Sequence, residues 1–415
     1  MRAGDPTLEP SLAEIAVQWG RIGCVGFGGP PAHVALLRDL CVTRGRWLSD
    51  EQFERALAAV SLLPGPASTQ LAIYCGWRLR GPAGALLGGL GFVLPGLLAI
   101  TGLAAAFLSS SPPSWLRGAG MGAGAAVAAV AVRAGVGVAA PIVRRAARRA
   151  PAGRLAAALA PTAAYALSGF LGAALAGSWL AVVLLACGAV EVGRRRILGV
   201  AGPLSALPLW RRLLDAHPGA LHRAPRTPLA LAASADPGGA AALAWTAFKV
   251  GALAFGGGFV IVPLMQSDAV DTYHWMTNGQ FVNAVALGQV TPGPVTHTVA
   301  AVGYAAASVP GALLAALVAF APSFSFILLG ARRFERLLVD ERVQAFLGGA
   351  APAATGAIIG AAIPLAAALS QGWQLAVLAG AGIALLVLRR GIVEVLLAAA
   401  LAGLCAALLG ASIPR

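Results

Sequence analysis

The chain has 415 residues, of which 58% are hydrophobic and only 11% are charged, and its mean hydropathy is +0.79. A soluble domain carries about 25% charged residues, and a chain of this length has too little interior to hide so much apolar surface from water. These values exclude a soluble enzyme, a secreted disulfide scaffold and a disordered chain. They predict an all-α polytopic membrane protein whose environment is the lipid bilayer.

The formal charge of +14 comes almost entirely from arginine, since Lys249 is the only lysine. A nucleic-acid-binding protein gathers such charge on a soluble face, whereas here runs of arginine separate apolar segments. The positive-inside rule therefore predicts cytoplasmic loops, and no nucleic-acid partner is expected. The five cysteines are scattered singly, without metal-ligand spacing, so neither a metal nor a cofactor is predicted. No cleavable signal is expected at the N-terminus.

An internal repeat with an offset of 228 residues organises the chain. Chance matching of Ala, Leu and Gly does not align Trp, Phe, Gln and Pro together, so we interpret the repeat as a duplication. The matched positions are Phe27-Gly28-Gly29 with Phe255-Gly256-Gly257, Trp47 with Trp275, Gln52-Phe53 with Gln280-Phe281, Pro64-Gly65-Pro66 with Pro292-Gly293-Pro294, Gly23 with Gly251, Pro82 with Pro310, and Arg21 with Lys249.

The first apolar segment is predicted as a span at 11–37, and its counterpart as a span at 241–266. Arg21 and Lys249 lie near the middle of these spans, where a cation costs roughly 2.5–3.5 kcal/mol. No carboxylate is paired with them by sequence, so a tetrahedral dianion between them would supply the missing charge. The alternative is that both side chains snorkel to an interface. The FGG motifs that follow are predicted to unwind and expose backbone donors, with close helix crossing as the alternative.

The next segment, 51–79, is flanked on both sides by basic residues and broken at Pro64-Gly65-Pro66. It is therefore predicted as a re-entrant hairpin from the cytoplasmic side, and 279–306 as its counterpart from outside. Pro66 and Pro294 suit the first turn of a helix. A helix that begins in mid-membrane directs unpaired N–H groups and the positive end of its dipole at whatever lies there.

Polar side chains follow both PGP motifs, and they are Ser68, Thr69, Gln70, Thr296, His297 and Thr298. Two such helix starts entering from opposite faces predict a donor-rich pocket at the midplane that suits an anion. The alternative is that PGP is only a kink and that the hydroxyls bond back to carbonyls of their own helices.

The remaining apolar segments complete each half, 11–197 and 240–412, around a basic cytoplasmic linker at 198–239. Equivalent loops carry opposite charge, because Arg38, Arg44 and Arg46 follow the first apolar segment, whereas the equivalent stretch of the second half holds Asp268 and Asp271 and no arginine. This predicts inverted repeats with about ten spans, two re-entrant hairpins and both termini outside. If each PGP segment is a full kinked span, the total is twelve. The other predicted spans are 82–109, 118–143, 153–173, 176–193, 308–330, 343–370, 373–388 and 391–411.

These motifs resemble the chromate ion transporter family in both halves, but not in the linker or the extreme termini. The resemblance implies chromate export from the cytoplasm across the inner membrane, and hence chromate resistance. It does not decide between chromate, sulfate and other oxyanions. The residues that carry it are Phe27-Gly28-Gly29-Pro30, residues 32–38, Arg46-Trp47-Leu48, residues 62–72, Gly91-Phe92-Val93-Leu94-Pro95, Phe255-Gly256-Gly257-Gly258, Trp275 and Pro292-Gly293-Pro294.

We therefore predict a secondary oxyanion transporter that works by alternating access, not an enzyme. No ATP-binding motif is present, so an ion gradient, exchange or the membrane potential must drive it. An anion channel is the first alternative. An intramembrane enzyme is the second, although no nucleophile with a base stands at a convincing spacing. A homodimer is left open.

Overall fold

A computed structural model describes residues 10–61, 63–109, 111–148, 155–175, 177–197, 238–254, 258–331 and 340–413. Within these residues the regular structure is helical. The first half contains α1 (Leu12–Val25), α2 (Pro30–Arg38), α3 (Asp50–Val60), α4 (Ala67–Phe107), α5 (Ser114–Arg148), α6 (Leu155–Leu175) and α7 (Leu180–Ile197). The second half contains α8 (Ala240–Leu253), α9 (Val262–Gln266), α10 (Asn278–Val290), α11 (Thr298–Gly330), α12 (Glu341–Gly360), α13 (Ala362–Ala367), α14 (Gly372–Gly382) and α15 (Ile392–Leu408).

The 228-residue offset extends from the sequence to the local structure. It carries the bounds of α1 onto those of α8, and a π-helical turn, Asp39–Arg44, onto another, Ser267–Thr272. Helices α3 and α10 both begin with a capping box, in which a hydroxyl and a glutamine bond reciprocally to the backbone of the first turn. Equivalent sequences in the two halves therefore form equivalent elements.

The first predicted span is interrupted at an elbow, Gly26–Gly29. Gly28 and Gly29 have φ angles of 99° and 75°, which favour glycine because a Cβ would be strained there. Helix α2 then begins with Pro30 in its first turn, where proline needs no N–H partner. The predicted unwinding at Phe27-Gly28-Gly29 is therefore observed in the first half. Residues 255–257 lie outside the described residues, between α8 and a 3₁₀ turn, Gly258–Ile261.

The chain doubles back at this elbow, so the predicted span 11–37 is wrong. The Trp47 and Trp19 rings stack with their centroids 6.4 Å apart, although a straight helix would separate two residues 28 positions apart by roughly 40 Å. Arg80 Nε also donates to the Pro10 carbonyl at 2.7 Å. Residue 10 therefore lies beside the 78–81 loop, and the predicted placement of these two segments on opposite sides is wrong as well.

The second half repeats this arrangement. Trp275 Nε1 donates to the Gly238 carbonyl at 2.8 Å, which places the start of α8 beside the loop that precedes α10. The predicted span 241–266 is thus also a helical hairpin. In the first half the physical cause is the elbow Gly26–Gly29, where two glycines with positive φ and a following proline let the chain reverse. In the second half the 3₁₀ turn Gly258–Ile261 separates α8 from α9.

Helix α4 is itself two antiparallel arms, 67–79 and 82–107. Non-helical angles at Arg80 and Gly81 separate the arms, and a Cβ at Gly76 would collide with the Gly84 carbonyl. Residues eight apart in a straight helix would be about 12 Å apart, so the chain must turn sharply. Helix α11 turns in the same way at Ser308, one residue earlier than the 228 offset predicts.

The two arms on either side of each PGP are short. Helix α3, with 11 residues, is about 17 Å long and the 67–79 arm is about 20 Å long, against a hydrocarbon core of about 30 Å. The two corrections concern the spans 11–37 and 241–266 and leave the other eight predicted spans as predictions. Five helical segments are long and apolar enough to cross a membrane: Ala67–Phe107, Ser114–Arg148, Leu155–Leu175, Val295–Gly330 and Glu341–Ala367. Helices α7, α14 and α15 occupy the positions of the other three predicted spans.

Two cavities lie at opposite ends of the helix bundle. One, of about 800 Å³, is lined by Arg145, Arg194 and Arg195, and we call this the basic end. The other, of about 880 Å³, is lined by Arg117 together with uncharged polar and apolar residues. Helix α5 carries Arg117 into one cavity and Arg145 into the other, roughly 40 Å apart along the helix.

The equivalent hairpins approach the centre from these opposite ends. Glu54 of α3 lines the cavity at the basic end, whereas Asn278 and Asn283 of α10 line the other. Apart from its last two residues, the predicted linker, 198–239, lies outside the described residues.

Candidate functional site

The elbows of the helical hairpins meet at the centre of the bundle. The Gly293 N–H, in the second PGP, donates to the Gly26 carbonyl at 2.9 Å. A Cβ at Gly65, in the first PGP, would lie 3.3 Å from the Gly251 carbonyl. Each PGP therefore contacts the α1-type hairpin of the other half, so the centre is built from both repeats.

Both PGP elbows contact the same turn of α11. Gly65 faces the Ser323 hydroxyl: a Cβ built on Gly65 would lie 3.2 Å from Ser323 Oγ. His297, which follows the second PGP, meets Phe320 edge to face with ring centroids 5.3 Å apart. Since Phe320 and Ser323 are one helical turn apart, the two PGP elbows are neighbours.

The equivalent turn of α4 completes the enclosure. Phe92 contacts the His33 ring edge to face at 5.0 Å. A Cβ at Gly96 would collide with the Pro292 carbonyl and lie 2.6 Å from Cε1 of His297. Glycine at position 96 is therefore what allows the second PGP and the imidazole of His297 to pack against α4.

Buried polar atoms without hydrogen-bond partners are concentrated around these elbows. Leaving such a group unpaired costs about 1–3 kcal/mol, so each one needs a reason to be there. Several in one place are characteristic of a site that binds a polar ligand. They are Thr69 Oγ1, Gln70 Oε1, Thr296 Oγ1, Ser323 Oγ, Nδ1 of His33, and Nδ1 and Nε2 of His297.

Backbone donors at the helix starts add to this cluster. Helix α4 begins directly after Pro66 without a capping side chain, and Val295–His297 forms a 3₁₀ turn directly after Pro294. The first N–H groups of a helix have no partner within it, and they carry the positive end of its dipole. Helix starts of this kind bind anions.

Two of the predicted donors are already engaged. Thr298 Oγ1 donates to the Val295 carbonyl at 2.8 Å, so the alternative of a bond within its own segment holds for this residue. Gln70 Nε2 donates to the Pro64 carbonyl at 2.7 Å and braces the first elbow. Ser68, Thr69 and Thr296 are buried.

Lys249 is paired with a carboxylate, contrary to the sequence-based expectation. Its Nζ lies 2.5 Å from Asp268 Oδ2, and Thr246 Oγ1 donates to the same oxygen at 2.8 Å. Asp268 comes 19 residues after Lys249 in the chain, and the α8–α9 hairpin brings the two side chains together. A single continuous span over 241–266 would keep them apart. The first half has Leu40 at the equivalent position, so the pair is not duplicated.

The structure does not bring Arg21 and Lys249 to the elbows. Each lies two residues before a glycine that packs on a neighbouring helix, Gly23 on Gly91 and Gly251 on Ala319. Two residues correspond to roughly 200° around a helix, so both cations lie on the outer face of the hairpin. Arg21 is exposed there. The predicted placement of a dianion between these two side chains is therefore wrong.

The family model for chromate transporters matches this chain over residues 13–192 and 241–404. The chain belongs to the chromate transporter family. The two matched regions fall within the predicted halves, and the helical bundle is that of a multi-pass membrane protein of the inner membrane.

Relatives of this family member cover most of its length. It is 32% identical to the chromate transport protein of Cupriavidus metallidurans over 86% of this chain and 83% of that protein. It is 30% identical to the chromate transport protein of Pseudomonas aeruginosa over 88% and 85%. An uncharacterized transporter of Bacillus subtilis is 42% identical over 21% of this chain and 44% of that protein. These relatives are named as transporters, which indicates a transporter here. A comparison with solved structures finds no match.

Proposed function

We propose that this chain exports chromate, or a similar tetrahedral oxyanion such as sulfate, by alternating access between two inverted repeats. The observation that supports this most strongly is the convergence of two PGP helix starts from opposite ends of the bundle onto one cluster of unpartnered donors. The short hairpins would be re-entrant, and the four crossing segments of each half would frame them.

A tetrahedral oxyanion suits this cluster because it accepts hydrogen bonds from every direction. In the proposed complex, Thr69 and the first N–H groups of α4 donate from one side. Thr296, His297 and the start of α11 donate from the other, and Ser323 lies between them. Hydrogen bonds to a charged acceptor contribute about 1.5–3 kcal/mol each, so several together compensate for much of the lost hydration.

The two cavities support alternating access. The cavity at the basic end extends from Arg145 to Ser61, three residues before the first PGP. The other extends to Asn283, on the helix that leads to the second PGP. Of the three arginines in the lining of the first cavity, Arg194 and Arg195 are paired with Glu191. Arg145 would raise the local concentration of anions there. With the basic end in the cytoplasm, as the positive-inside rule requires, this favours loading from inside.

The experiment is transport by the purified protein in liposomes. Loading the lumen with unlabelled chromate should accelerate uptake of labelled chromate, and external sulfate should compete for it. Saturable counterflow supports a transporter, whereas large unitary currents would support the channel alternative. The absence of chromate movement in liposomes that contain folded protein would contradict the proposal.

A further inference from the structure

The elbow cluster has no fixed positive charge among the described side chains. Lys249 is paired with Asp268 on the outer face of its hairpin, and Arg21 is exposed on the equivalent face. Moving a doubly charged anion from water into a buried site is costly unless a positive charge accompanies it. Helix dipoles supply only part of that charge. A side chain that can become cationic is therefore required.

His297 is the side chain best placed for this role. It is fully buried. The backbone of Val93 lies within reach of one ring nitrogen, but neither nitrogen makes a hydrogen bond of good geometry. The groups that contact it are apolar or uncharged: Gly96 from α4, Phe320 from α11 and Gly293 from its own elbow. Helix α10 and the 3₁₀ turn Gly258–Ile261, which also pack nearby, carry no acidic or basic side chain.

His33 is the other titratable side chain whose charge would act on His297. Its Nε2 already donates to the Gly26 carbonyl at 2.8 Å, which leaves only Nδ1 without a partner. One nitrogen of His297 faces the Val93 backbone, and neither nitrogen is engaged in a hydrogen bond of good geometry. One N–H of its imidazolium can face the Val93 carbonyl, and the second can face the anion.

We propose that His297 takes up one proton with each oxyanion, so that the anion and the proton cross the membrane together. The proton would come from water in the cavity open at that moment and bind a ring nitrogen of His297. It would return to water when the anion leaves at the other end, and no other bond forms or breaks. The inference rests on the proposed function, because it assigns the coupling ion of that same site.

The test is chromate binding by the purified full-length protein, measured by calorimetry in two buffers with different heats of ionisation. The difference in heat counts the protons taken up per chromate bound. The wild type should take up about one proton, and its affinity should fall by up to tenfold per pH unit as the pH rises. His297→Gln should still bind chromate through the remaining donors, with lower affinity and without proton uptake. His274→Gln, an exposed histidine far from the elbows, is the matched control and should behave as the wild type.

Comparing variants cancels any proton that chromate itself carries, because the ligand is the same throughout. Proton uptake that persists in His297→Gln would overturn the inference, and so would complete loss of binding by a folded variant, because the hydroxyl and backbone donors remain. Chromate transport by a wild type that takes up no proton would overturn this inference and leave the proposed function intact. Failure of the wild type to transport chromate would instead overturn the proposed function.

Discussion

The Gly293 N–H donates a 2.9 Å hydrogen bond to the Gly26 carbonyl, and His33 Nε2 donates to the same oxygen at 2.8 Å. One carbonyl thus joins an elbow of the first half, an elbow of the second half and a buried histidine. Since these elbows belong to hairpins that approach from opposite ends, the bond lies where the two repeats must move relative to each other in an alternating-access cycle.

Gly96→Ala should abolish chromate transport while leaving the protein inserted in the membrane. The added methyl group would collide with the Pro292 carbonyl and press on the His297 ring, displacing the second PGP elbow. Gly102→Ala, two turns further along the same arm, has open space at its Cβ position and is the matched control. Chromate resistance of a sensitive host and the amount of protein in the membrane are measured for both variants. Normal resistance with Gly96→Ala would show that the elbow tolerates this displacement.

Cysteine labelling should place the starts of the first two hairpins of one half on the same side of the membrane. Leu12→Cys and Glu51→Cys should react with a membrane-impermeant maleimide from one side. Their counterparts Ala240→Cys and Gly279→Cys should react from the other. All four positions are exposed, and the five native cysteines are replaced in the background. If residues 12 and 51 react from opposite sides, segment 11–37 crosses the membrane after all.

The sequence predicted the duplication, the elbows and the donor cluster because glycine, proline and hydroxyl residues have strong local preferences. It did not predict that the first hydrophobic segment of each half folds back. Mean hydropathy depends only on the residues that a segment contains. An apolar hairpin and a straight span of the same composition therefore have the same hydropathy. Only tertiary contacts, such as Trp47 on Trp19 and Arg80 on Pro10, distinguish the two.

The charge pairing of Lys249 was missed for the same reason. Asp268 comes 19 residues later in the chain, and the sequence alone does not show that the chain reverses between the two residues. Once the hairpin folds back, the two side chains meet at 2.5 Å. In the first half, Leu40 occupies the position equivalent to Asp268. An acidic residue in place of an apolar one is the sequence signal that Asp268 has a cationic partner in the second half.

Lys249→Met should destabilise the protein without removing a substrate ligand. It leaves Asp268 buried without its counter-charge, and breaking such a pair costs on the order of 3 kcal/mol. Adding Asp268→Asn should restore most of the stability, because the remaining amide can still bond to Thr246. Thermal unfolding of the purified proteins measures both effects, and the double variant should transport chromate. A double variant that is stable but inactive would return Lys249 to the substrate site.

The most direct measurement of the central claim, that the two PGP helix starts bind the oxyanion, is the chromate affinity of Thr69→Val, Thr296→Val and their combination. Each hydroxyl is buried without a partner, so each loss should weaken binding by about tenfold or more, and the double variant should be weaker than either single variant. Thr355→Val removes a hydroxyl that is bonded within its own helix and should bind chromate as the wild type does. Unchanged affinity in the double variant would contradict a substrate site at the elbows.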